Sequence, residues 1–438
     1  MNTNNFCGQE RPRSQGNENF KLQISNFKLL FLLFCTPLTI HSEEASMPDS
    51  IGPSGHWAVE VAANAGNMLH GDPDIQQILH TYHVNHYEIK ASWQANEDSE
   101  TPFDHSLNLP ELQAGILYSD FSHLDISRPQ TPYTSRIGHI LTLYGGARLN
   151  LYRLHRWNLD FSLQHGIGYC PNPFDEHTNN DNLIIGSPLS IYVAGGIHLG
   201  YDISRQWKLS VGAEFKHYSN GTLDRPNLGA NTVGPTISLK YGLQTYPQTS
   251  LNEEEVESPP LSEGDRRKFF YVETIAGLGM KALIDRFNVY HTSYNPVYGF
   301  PTFLVTPMYR YHLLHATGIG IDYTYADYVY KIKEYDHIKK KEAGQKYSPH
   351  ILGFSLRQEL FYRHLSLNGA VGIYALKNTG YISTINESSV YQHIGLRYNT
   401  PFTNERLFIG YIIKAHKFSK VDCVQIHLGY RFGKVAKY

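Results

Sequence analysis

Alternation of apolar and polar residues is the feature that most constrains how this chain can fold. In the segment from Trp207 to Ser219, the odd-numbered positions are apolar as far as Phe215, and the even-numbered positions up to Lys216 are polar or glycine. The apolar set is Trp207, Leu209, Val211, Ala213 and Phe215, and the other set is Lys208, Ser210, Gly212, Glu214 and Lys216. The same pattern recurs in residues 157–169 and 189–203. Because successive side chains of a strand point to opposite faces, these segments are predicted to be strands with one apolar and one polar face.

The polar face separates two all-β fold classes. A soluble β-sandwich also alternates, but here charged and amide groups mixed with glycine recur on the polar face, strand after strand. After residue 42 no apolar run is long enough for a membrane-spanning helix. The pattern favours an all-β fold, a transmembrane antiparallel β-barrel with an apolar outer wall and a polar lumen. A secreted pair of soluble β-sandwiches is the alternative.

The chain divides into two halves of similar pattern. About eight alternating segments lie in residues 56–243, and about eight more lie in residues 269–438. Residues 244–268, between the halves, are acidic, contain prolines and have no period, as in a linker. Two tandem eight-stranded barrels and one sixteen-stranded barrel both fit this pattern. The polar linker and the near-equal halves favour two barrels.

Residues 1–42 have the layout of a targeting segment. Lys21 and Lys28 precede an apolar run from Leu29 to Ile40, and small and polar residues follow near Ser42. This is the order of a secretory signal, and the apolar run is too short to span a bilayer as a stable helix. Together with the barrel pattern, it predicts a protein of the bacterial outer membrane.

Composition excludes several classes of partner. The chain has 38 Lys and Arg against 40 Asp and Glu, so the net charge of -2 gives no basic footprint for nucleic acid. Removal of residues 1–42 leaves Cys170 and Cys423, which form no disulfide framework and are predicted to be packed free thiols. Neither a zinc-binding spacing nor a phosphate-binding glycine loop occurs, so no cofactor and no metal are predicted. A homo-oligomer is compatible with the sequence.

A histidine and a serine stand two residues apart at the end of the predicted strand from Trp207 to Ser219. His217 and Ser219 share the outward face with Phe215, and the hairpin into residues 231–243 would bring Asn231 beside them. Imidazole within hydrogen-bond reach activates a serine hydroxyl, and a third group fixes its tautomer. The hairpin therefore predicts a Ser-His hydrolytic site at the membrane rim. Contact of these residues with headgroups and water alone is the other interpretation.

The turn after Ser219 holds donors for an oxyanion. Asn220, Asn227 and the backbone amides around Gly221 could stabilise the tetrahedral intermediate of an ester under attack. A nucleophile that faces lipid requires a lipid substrate. The expected reaction is therefore hydrolysis of an acyl ester of a membrane amphiphile.

The segment "FKHYSNGTLDRPNLGANTVGPTISLKYG" resembles the signature of outer-membrane lipid A deacylases of the PagL type, an acyloxyacyl-hydrolase-like family. The matching positions are His217, Ser219, Asn220, Pro226, Asn227 and Gly229. The resemblance is strong over some 30 residues and extends by pattern over residues 56–243. It implies an eight-stranded barrel that releases an ester-linked acyl chain from lipid A, with Ser219 as nucleophile, His217 as general base, and Asn220 and Asn227 supporting the oxyanion.

The chain departs from this family at the orienting position. Asn231 stands where the best-known members have a glutamate. An amide oxygen can hold an imidazole N–H but cannot support the imidazolium charge to the same extent. Asp224 in the turn is the alternative orienting acid. A catalytically idle barrel with a structural or pore role is the second functional hypothesis.

Three further segments bear on where a substrate or an ion could bind. In the C-terminal half, Ala415 and Lys417 take the places of His217 and Ser219, and His416 falls on the inward face, so this half is predicted to lack the site. The basic segment 335–346 could contact lipid phosphates, and the acidic segment 173–182, with His177, could hold a divalent ion. Solvated loops are the alternative for both segments.

Overall fold

The computed structural model describes residues 55–69, 73–95, 99, 101–127, 135–243, 268–283, 296–417 and 420–434. The strands of the N-terminal half are β1 (Gly55–Met68), β2 (His83–Ala95), β3 (Glu111–Phe121), β4 (Gly138–Leu154), β5 (Trp157–Tyr169), β6 (Leu189–Asp202), β7 (Trp207–Ser219) and β8 (Ala230–Gly242). Those of the C-terminal half are β9 (Phe269–Ala282), β10 (Val297–Arg310), β11 (His315–Tyr325), β12 (His350–Tyr362), β13 (Leu365–Leu376), β14 (Val390–Asn399), β15 (Leu407–His416) and β16 (Lys420–Gly433).

These strands form two closed antiparallel barrels. Each strand pairs with its neighbours in the chain, β8 returns to pair with β1, and β16 returns to pair with β9. The prediction of two eight-stranded barrels is therefore confirmed over the single sixteen-stranded barrel. The predicted targeting segment 1–42 lies outside the described residues, and so does the predicted linker except for Lys268.

The alternation of the sequence becomes the inside and the outside of each barrel. In β7 the outward side chain of Val211 is 48% exposed, whereas that of Lys216, which points inward, is 1% exposed. The same alternation runs through the burial patterns of β6 and β8. Closure removes the strand edges, so the backbone groups along the strands are paired while the apolar outer wall faces lipid.

Ion pairs fill the two lumens. In the first barrel Arg148 donates to both carboxylate oxygens of Glu60, at 3.0 and 2.9 Å, and Lys90 lies 3.3 Å from Glu60. In the second barrel Glu273 accepts hydrogen bonds from Arg397 at 3.0 Å and from Arg431 at 2.9 Å. A charge buried this deeply is tolerated when it is paired and hydrogen-bonded. The polar face of the sequence pattern is therefore an internal network of opposite charges.

Each barrel has one end with mostly short turns and one end with long loops, although the short-turn end of the first barrel also carries the connection between β2 and β3 that contains residues 102–106. Residues 155–156 join β4 to β5 and residues 363–364 join β12 to β13, whereas residues 170–188 join β5 to β6 and residues 326–349 join β11 to β12. The turn between β7 and β8, residues 220–229, lies at the long-loop end of the first barrel. The ends of β9 and β15 lie at the long-loop end of the second barrel, since the strands of each barrel alternate in direction.

The helices are short and lie between strands. They are α1 (Pro73–Ile78), α2 (Pro102–Ser106), α3 (Val329–Ile338), α4 (Gly380–Asn386) and a 3-10 turn at Pro401–Thr403. Among the described residues, no helix has the length and apolar character to cross a bilayer. An apolar cluster that includes Leu117, Tyr144, Tyr192 and Tyr218 closes the first lumen toward its long-loop end. Tyr218 stands in this cluster between the two outward residues His217 and Ser219.

Candidate active site

The candidate site lies where β7 ends and β8 begins. Strand pairing places His217 opposite Asn231 and Tyr218 opposite Ala230. Ser219 follows two residues after His217, so both side chains are on the outward face. Tyr218 points inward, where its hydroxyl bonds Ser119 at 2.7 Å and Thr142 at 3.2 Å. These inward bonds hold the end of β7 against the lumen while its outward face carries the candidate site.

Asn231, His217 and Ser219 form one continuous chain of hydrogen bonds. Nδ1 of His217 lies 2.7 Å from Oδ1 of Asn231, and Nε2 lies 2.9 Å from Oγ of Ser219. An amide oxygen only accepts, so Nδ1 carries the proton and donates it. Nε2 of the neutral ring then carries a lone pair, which accepts a hydrogen bond from the Ser219 hydroxyl. This is the tautomer a general base requires.

Ser219 is more buried than a residue whose side chain is fully exposed to lipid. Its side chain points outward, yet Ser219 is only 6% exposed, and His217 and Asn231 are partly buried. Gly229, with φ +78°, lies against both residues: a Cβ there would be 3.2 Å from Cε1 of His217 and 3.6 Å from Cβ of Ser219. The amide of Gly229 donates to the Ile184 carbonyl at 3.0 Å. The loop between β5 and β6 therefore supports the segment that covers the serine.

The two predicted oxyanion residues shape the turn beside Ser219. The amide oxygen of Asn220 accepts the Thr222 N–H at 3.0 Å, and its Nδ2 donates to the Asp224 carbonyl at 3.2 Å. The amide oxygen of Asn227 accepts the Asn220 N–H at 3.2 Å. Since the oxygen of Asn227 faces Asn220, its NH₂ group points the other way. Asn220 directly follows Ser219, Asn227 contacts Asn220, and each uses part of its hydrogen-bonding capacity within the turn.

Of the two candidates for the orienting group, Asn231 is the one that contacts the imidazole of His217. Asp224, the alternative acid, directs Oδ1 at the backbone N–H of Arg225 at 2.8 Å. Cys170 is no competing nucleophile, because burial raises the pKa of its thiol to about 11 and keeps it protonated near neutral pH. Cys170 and Cys423 are both buried free thiols, as the sequence predicted.

The second barrel carries no copy of this arrangement in the described residues. Ala415 and Lys417 stand at the corresponding positions of β15 and its turn. His416 points inward, is 1% exposed, and places Nδ1 3.2 Å from the Val390 carbonyl. Phe408, on the same inward face, is fully buried.

Three groups in the second barrel could hold a metal ion by their spacing. Ligand atoms of Glu387, His416 and Asp422 lie within 4.8 Å of one another. The ammonium of Lys281 lies 3.0 Å from Glu387 and 2.6 Å from Asp422, however, and so takes the position of a cation. Lys281 and Lys377, whose ammonium lies 2.6 Å from Glu387, together balance the charges of the two carboxylates.

The acidic segment 173–182 and the basic segment 335–346 differ in their local structure. Oδ1 of Asp175 accepts the hydroxyl and the backbone N–H of Thr178, both at 2.8 Å, and these bonds hold the pKa of the Asp175 carboxyl below its usual value. Its carboxylate is thus engaged within its own turn. The basic segment 335–346 begins in α3 and continues into the loop before β12, with its lysines exposed.

Sequence reasoning missed the groups that support the turn from the second barrel. Ala282 and Asp422 both hydrogen-bond Thr222, which follows the candidate nucleophile by three residues. Thr222 and Asp422 lie 200 residues apart in the chain. No local motif signals a contact over such a separation.

Two family models match the chain, one on each barrel. The model described as lipid A 3-O-deacylase (PagL) matches residues 132–240, which include His217, Ser219 and Asn231. The model described as the C-terminal domain of acyloxyacyl hydrolase matches residues 270–434. Together the two models span more than half of the chain. No curated protein sequence matches the chain significantly.

Several solved structures are similar to the chain, each at low sequence identity and a low TM-score. The crystal structure of the outer membrane enzyme PagL is similar at 17% identity, covering 42% of this chain and 98% of that chain, with a TM-score of 0.26. The COG4313 outer membrane channel from Pseudomonas putida F1 is similar at 8% identity, covering 90% and 99%, with a TM-score of 0.19. A triple mutant of the Rhodopseudomonas blastica porin is similar at 6% identity, covering 86% and 100%, with a TM-score of 0.15.

Proposed function

The chain is an outer-membrane β-barrel protein of the lipid A 3-O-deacylase (PagL) family, and we propose that its first barrel hydrolyses an ester-linked acyl chain of lipid A. Ser219 is the proposed nucleophile, His217 the general base and Asn231 the orienting group. The observation that carries this proposal is the continuous chain of hydrogen bonds from Asn231 through His217 to Ser219 on the outer wall.

The proposed reaction is an acyl transfer in two stages. Oγ of Ser219 attacks the ester carbonyl while Nε2 of His217 takes the hydroxyl proton. Collapse of the tetrahedral intermediate breaks the bond to the sugar oxygen, which receives that proton from His217. Water, activated by the same imidazole, then hydrolyses the acyl-enzyme and releases a fatty acid. The NH₂ group of Asn227 and backbone amides near Gly221 are the proposed donors to the oxyanion, and Asn220 holds the turn that carries them.

The position of the site suits a lipid of the outer leaflet. Long loops of outer-membrane barrels are extracellular and short turns are periplasmic, so residues 220–229 lie on the extracellular side. Below His217 the outward residues Phe215, Ala213 and Val211 are apolar. A lipid A molecule would keep its sugar at the rim and its acyl chains against this wall. The ester bond, between sugar and chain, then falls at the height of Ser219.

The proposed organisation of the chain follows from this assignment. Residues 1–42 form a signal segment, residues 56–243 the catalytic barrel, residues 244–268 a linker, and residues 269–438 a barrel without the hydrolytic site. The neutral Asn231 favours a second candidate, a catalytically idle barrel, because an amide leaves the imidazolium without a negative partner. A pore is less favoured, since Glu60 and Glu273 anchor ion pairs across the two lumens.

The decisive experiment is the variant Ser219→Ala. The full chain is expressed in a host without a lipid A deacylase, and the acyl composition of lipid A is followed by mass spectrometry. We expect wild type to remove one ester-linked chain and Ser219→Ala to leave the lipid intact. Ser162→Ala is the matched control, because Ser162 lies 2.8 Å from Nε2 of His198 inside the lumen, where no lipid reaches it. An unchanged lipid profile with wild type would support the idle barrel instead.

A further inference from the structure

Thr222, in the turn after Ser219, is bonded by two strands of the second barrel. The N–H of Ala282, at the end of β9, donates to the Thr222 carbonyl at 2.7 Å. The hydroxyl of Thr222 donates to the carbonyl of Asp422, near the start of β16, at 2.9 Å. Thr222 is only 2% exposed. The turn of the first barrel is therefore hydrogen-bonded to the second barrel as well.

Thr222 occupies a place where the ladder between β9 and β16 has opened. The ladder ends at the pair Met280 and Val424, and its register would continue through Lys281 with Cys423 to Ala282 with Asp422. Instead, the N–H of one and the carbonyl of the other both bond Thr222. A β-bulge explains the opening, because Lys414 pairs with Cys423 while the next residue pairs with Val421, leaving Asp422 as the extra residue.

Side-chain ions hold the open strand ends in place. Lys281, adjacent to Ala282, lies 2.6 Å from the carboxylate of Asp422. The same lysine lies 3.0 Å from Glu387, which also pairs with Lys377 at 2.6 Å. This ion pair joins β9 to β16 at the level where Thr222 binds. It fixes the separation of the two backbone groups that Thr222 bridges.

Apolar contact reinforces the same junction. Val424 points outward from β16 yet is only 7% exposed, whereas the next outward residues, Ile426 and Leu428, are 50% and 52% exposed. A Cβ on Gly221 would lie 2.3 Å from Cγ2 of Val424 and 3.3 Å from Cδ1 of Ile191. Gly221 therefore leaves the space that Val424 fills against the first barrel.

The turn needs outside support because of its backbone conformation. Gly221 has φ +65° and Thr222 has φ +72°. Left-handed backbone is disfavoured for a β-branched residue and persists where its surroundings over-determine it. The bonds from Ala282 and to Asp422 supply that restraint. Because Ser219 directly precedes this turn, the restraint acts on the backbone beside the proposed nucleophile.

The barrels also meet at two other levels. Midway along the wall, the hydroxyl of Tyr411 lies 2.6 Å from Nε2 of His165, and the two rings stack. At the short-turn end, the buried carboxylate of Asp104 in α2 accepts the hydroxyl of Tyr362 at 2.8 Å and an ion pair from Arg363. The two barrels thus contact each other at three levels, and the contact at Thr222 is the one at the long-loop end.

We infer that the second barrel positions the catalytic turn of the first: Ala282, Asp422 and Val424 hold Gly221 and Thr222 so that the oxyanion donors beside Ser219 stay in place. The inference rests on the proposed esterase function and assigns a role to a barrel that lacks the hydrolytic residues. Thr222 is a positioning residue in this scheme, since it acts through the turn and not on the substrate.

The test compares kcat and KM of the purified full chain on lipid A in mixed detergent micelles. Loss of one net hydrogen bond predicts that Thr222→Val lowers kcat roughly fivefold and leaves KM unchanged. Thr222→Ser keeps the hydroxyl and should retain wild-type kcat. Asp422→Asn weakens the ion pair with Lys281 that holds the ends of β9 and β16 together. This variant should also lower kcat.

Asp322→Asn is the matched control for Asp422→Asn. Asp322 is a buried carboxylate of the second barrel, 2.7 Å from Arg357, and it does not contact the turn. Wild-type kcat in both Thr222→Val and Asp422→Asn, or a change confined to KM, overturns the positioning role. If Thr222→Val does not assemble, Asp422→Asn and Thr222→Ser decide the question. Full activity of Ser219→Ala would instead overturn the proposed function itself, so the two failures are distinguishable.

Discussion

Oδ1 of Asn231 lies 2.7 Å from Nδ1 of His217 and accepts a hydrogen bond from it, so the imidazole is held by an amide and not by a carboxylate. The amide fixes the tautomer, which puts the lone pair of Nε2 toward Ser219 at 2.9 Å. It would add no negative charge beside the imidazolium that the proposed proton transfer from Ser219 forms. The geometry of a Ser-His site is thus present with weaker electrostatic support.

Replacement of Asn231 by aspartate should therefore raise the rate. We expect Asn231→Asp to increase kcat about tenfold, because a carboxylate keeps the hydrogen bond and stabilises the imidazolium. Asn231→Leu removes the acceptor and should lower kcat roughly 100-fold. Fatty acid release from lipid A, measured at saturating substrate, checks both values. A slower Asn231→Asp enzyme would contradict the orienting role.

Replacement of His217 should remove the proposed general base. We expect His217→Gln to lower kcat about 1,000-fold or more while the barrel still assembles. His198→Gln serves as the control, since His198 is bonded to Ser162 at 2.8 Å but faces the lumen and is 2% exposed. Equal losses in the two variants would mean that the effect comes from barrel stability and not from catalysis. Heat-modified migration on gels reports assembly in each case.

A side chain at Gly229 should impair activity because it would contact the imidazole of His217, and a control glycine separates this contact from backbone strain. Gly229→Ala places a Cβ 3.2 Å from the imidazole of His217 and also strains a backbone with φ +78°. Gly344→Ala introduces the same strain at φ +78°, with no atom within 4 Å of its Cβ. We expect both variants to lose about 1 kcal/mol of stability, and only Gly229→Ala to lose activity. Similar kcat values in the two variants would rule out a contact effect on the imidazole.

Gly221 and Val424 should show coupled effects across the two barrels. Gly221→Ala forces its Cβ against Cγ2 of Val424 and should lower kcat. Val424→Ala removes that atom, so the double variant should recover part of the loss. Residues in contact are non-additive in this way, whereas independent residues add. Strict additivity of the two changes in ln kcat would argue against a contact between the barrels at this point.

Glu60 should be a stability residue and not an active-site residue. Its carboxylate pairs with Arg148 and Lys90 in the lumen, and both cations are buried. Glu60→Gln leaves those cations underpaired and should cost about 3–5 kcal/mol of stability. Glu176→Gln breaks an exposed pair with His177 and should cost about 0–1 kcal/mol. Urea titration of the refolded barrel measures both, and an unchanged urea midpoint in Glu60→Gln would refute the role.

The local sequence pattern predicted much of the fold. The alternation from Trp207 to Ser219 predicted β7 with the bounds that the structure has, since the period of a strand is a property of its backbone. The outward parity of His217 and Ser219 followed from the same period. Their proximity to Asn231 followed from the hairpin, because antiparallel pairing across a short turn brings neighbouring segments together.

The arrangement of the turn was beyond that reasoning. Ser219 is 6% exposed because Gly229 and His217 lie against it, and Gly229 depends on a bond to the loop at Ile184. Asn220 and Asn227 were predicted as oxyanion donors, a role that stays a prediction, and their bonds within the turn could not be read from residue types. Such contacts depend on the path of the backbone.

The sequence by itself determined the strands, the side of the wall on which each side chain lies, and the residue types of the proposed site, because these depend on a period of two and on short-range pairing. Only the tertiary structure decided that Thr222 bridges Ala282 and Asp422, and that Val424 fills the space left by Gly221. Those contacts join residues that are far apart in the chain. They arise from the closure of each barrel and from the packing of one barrel against the other.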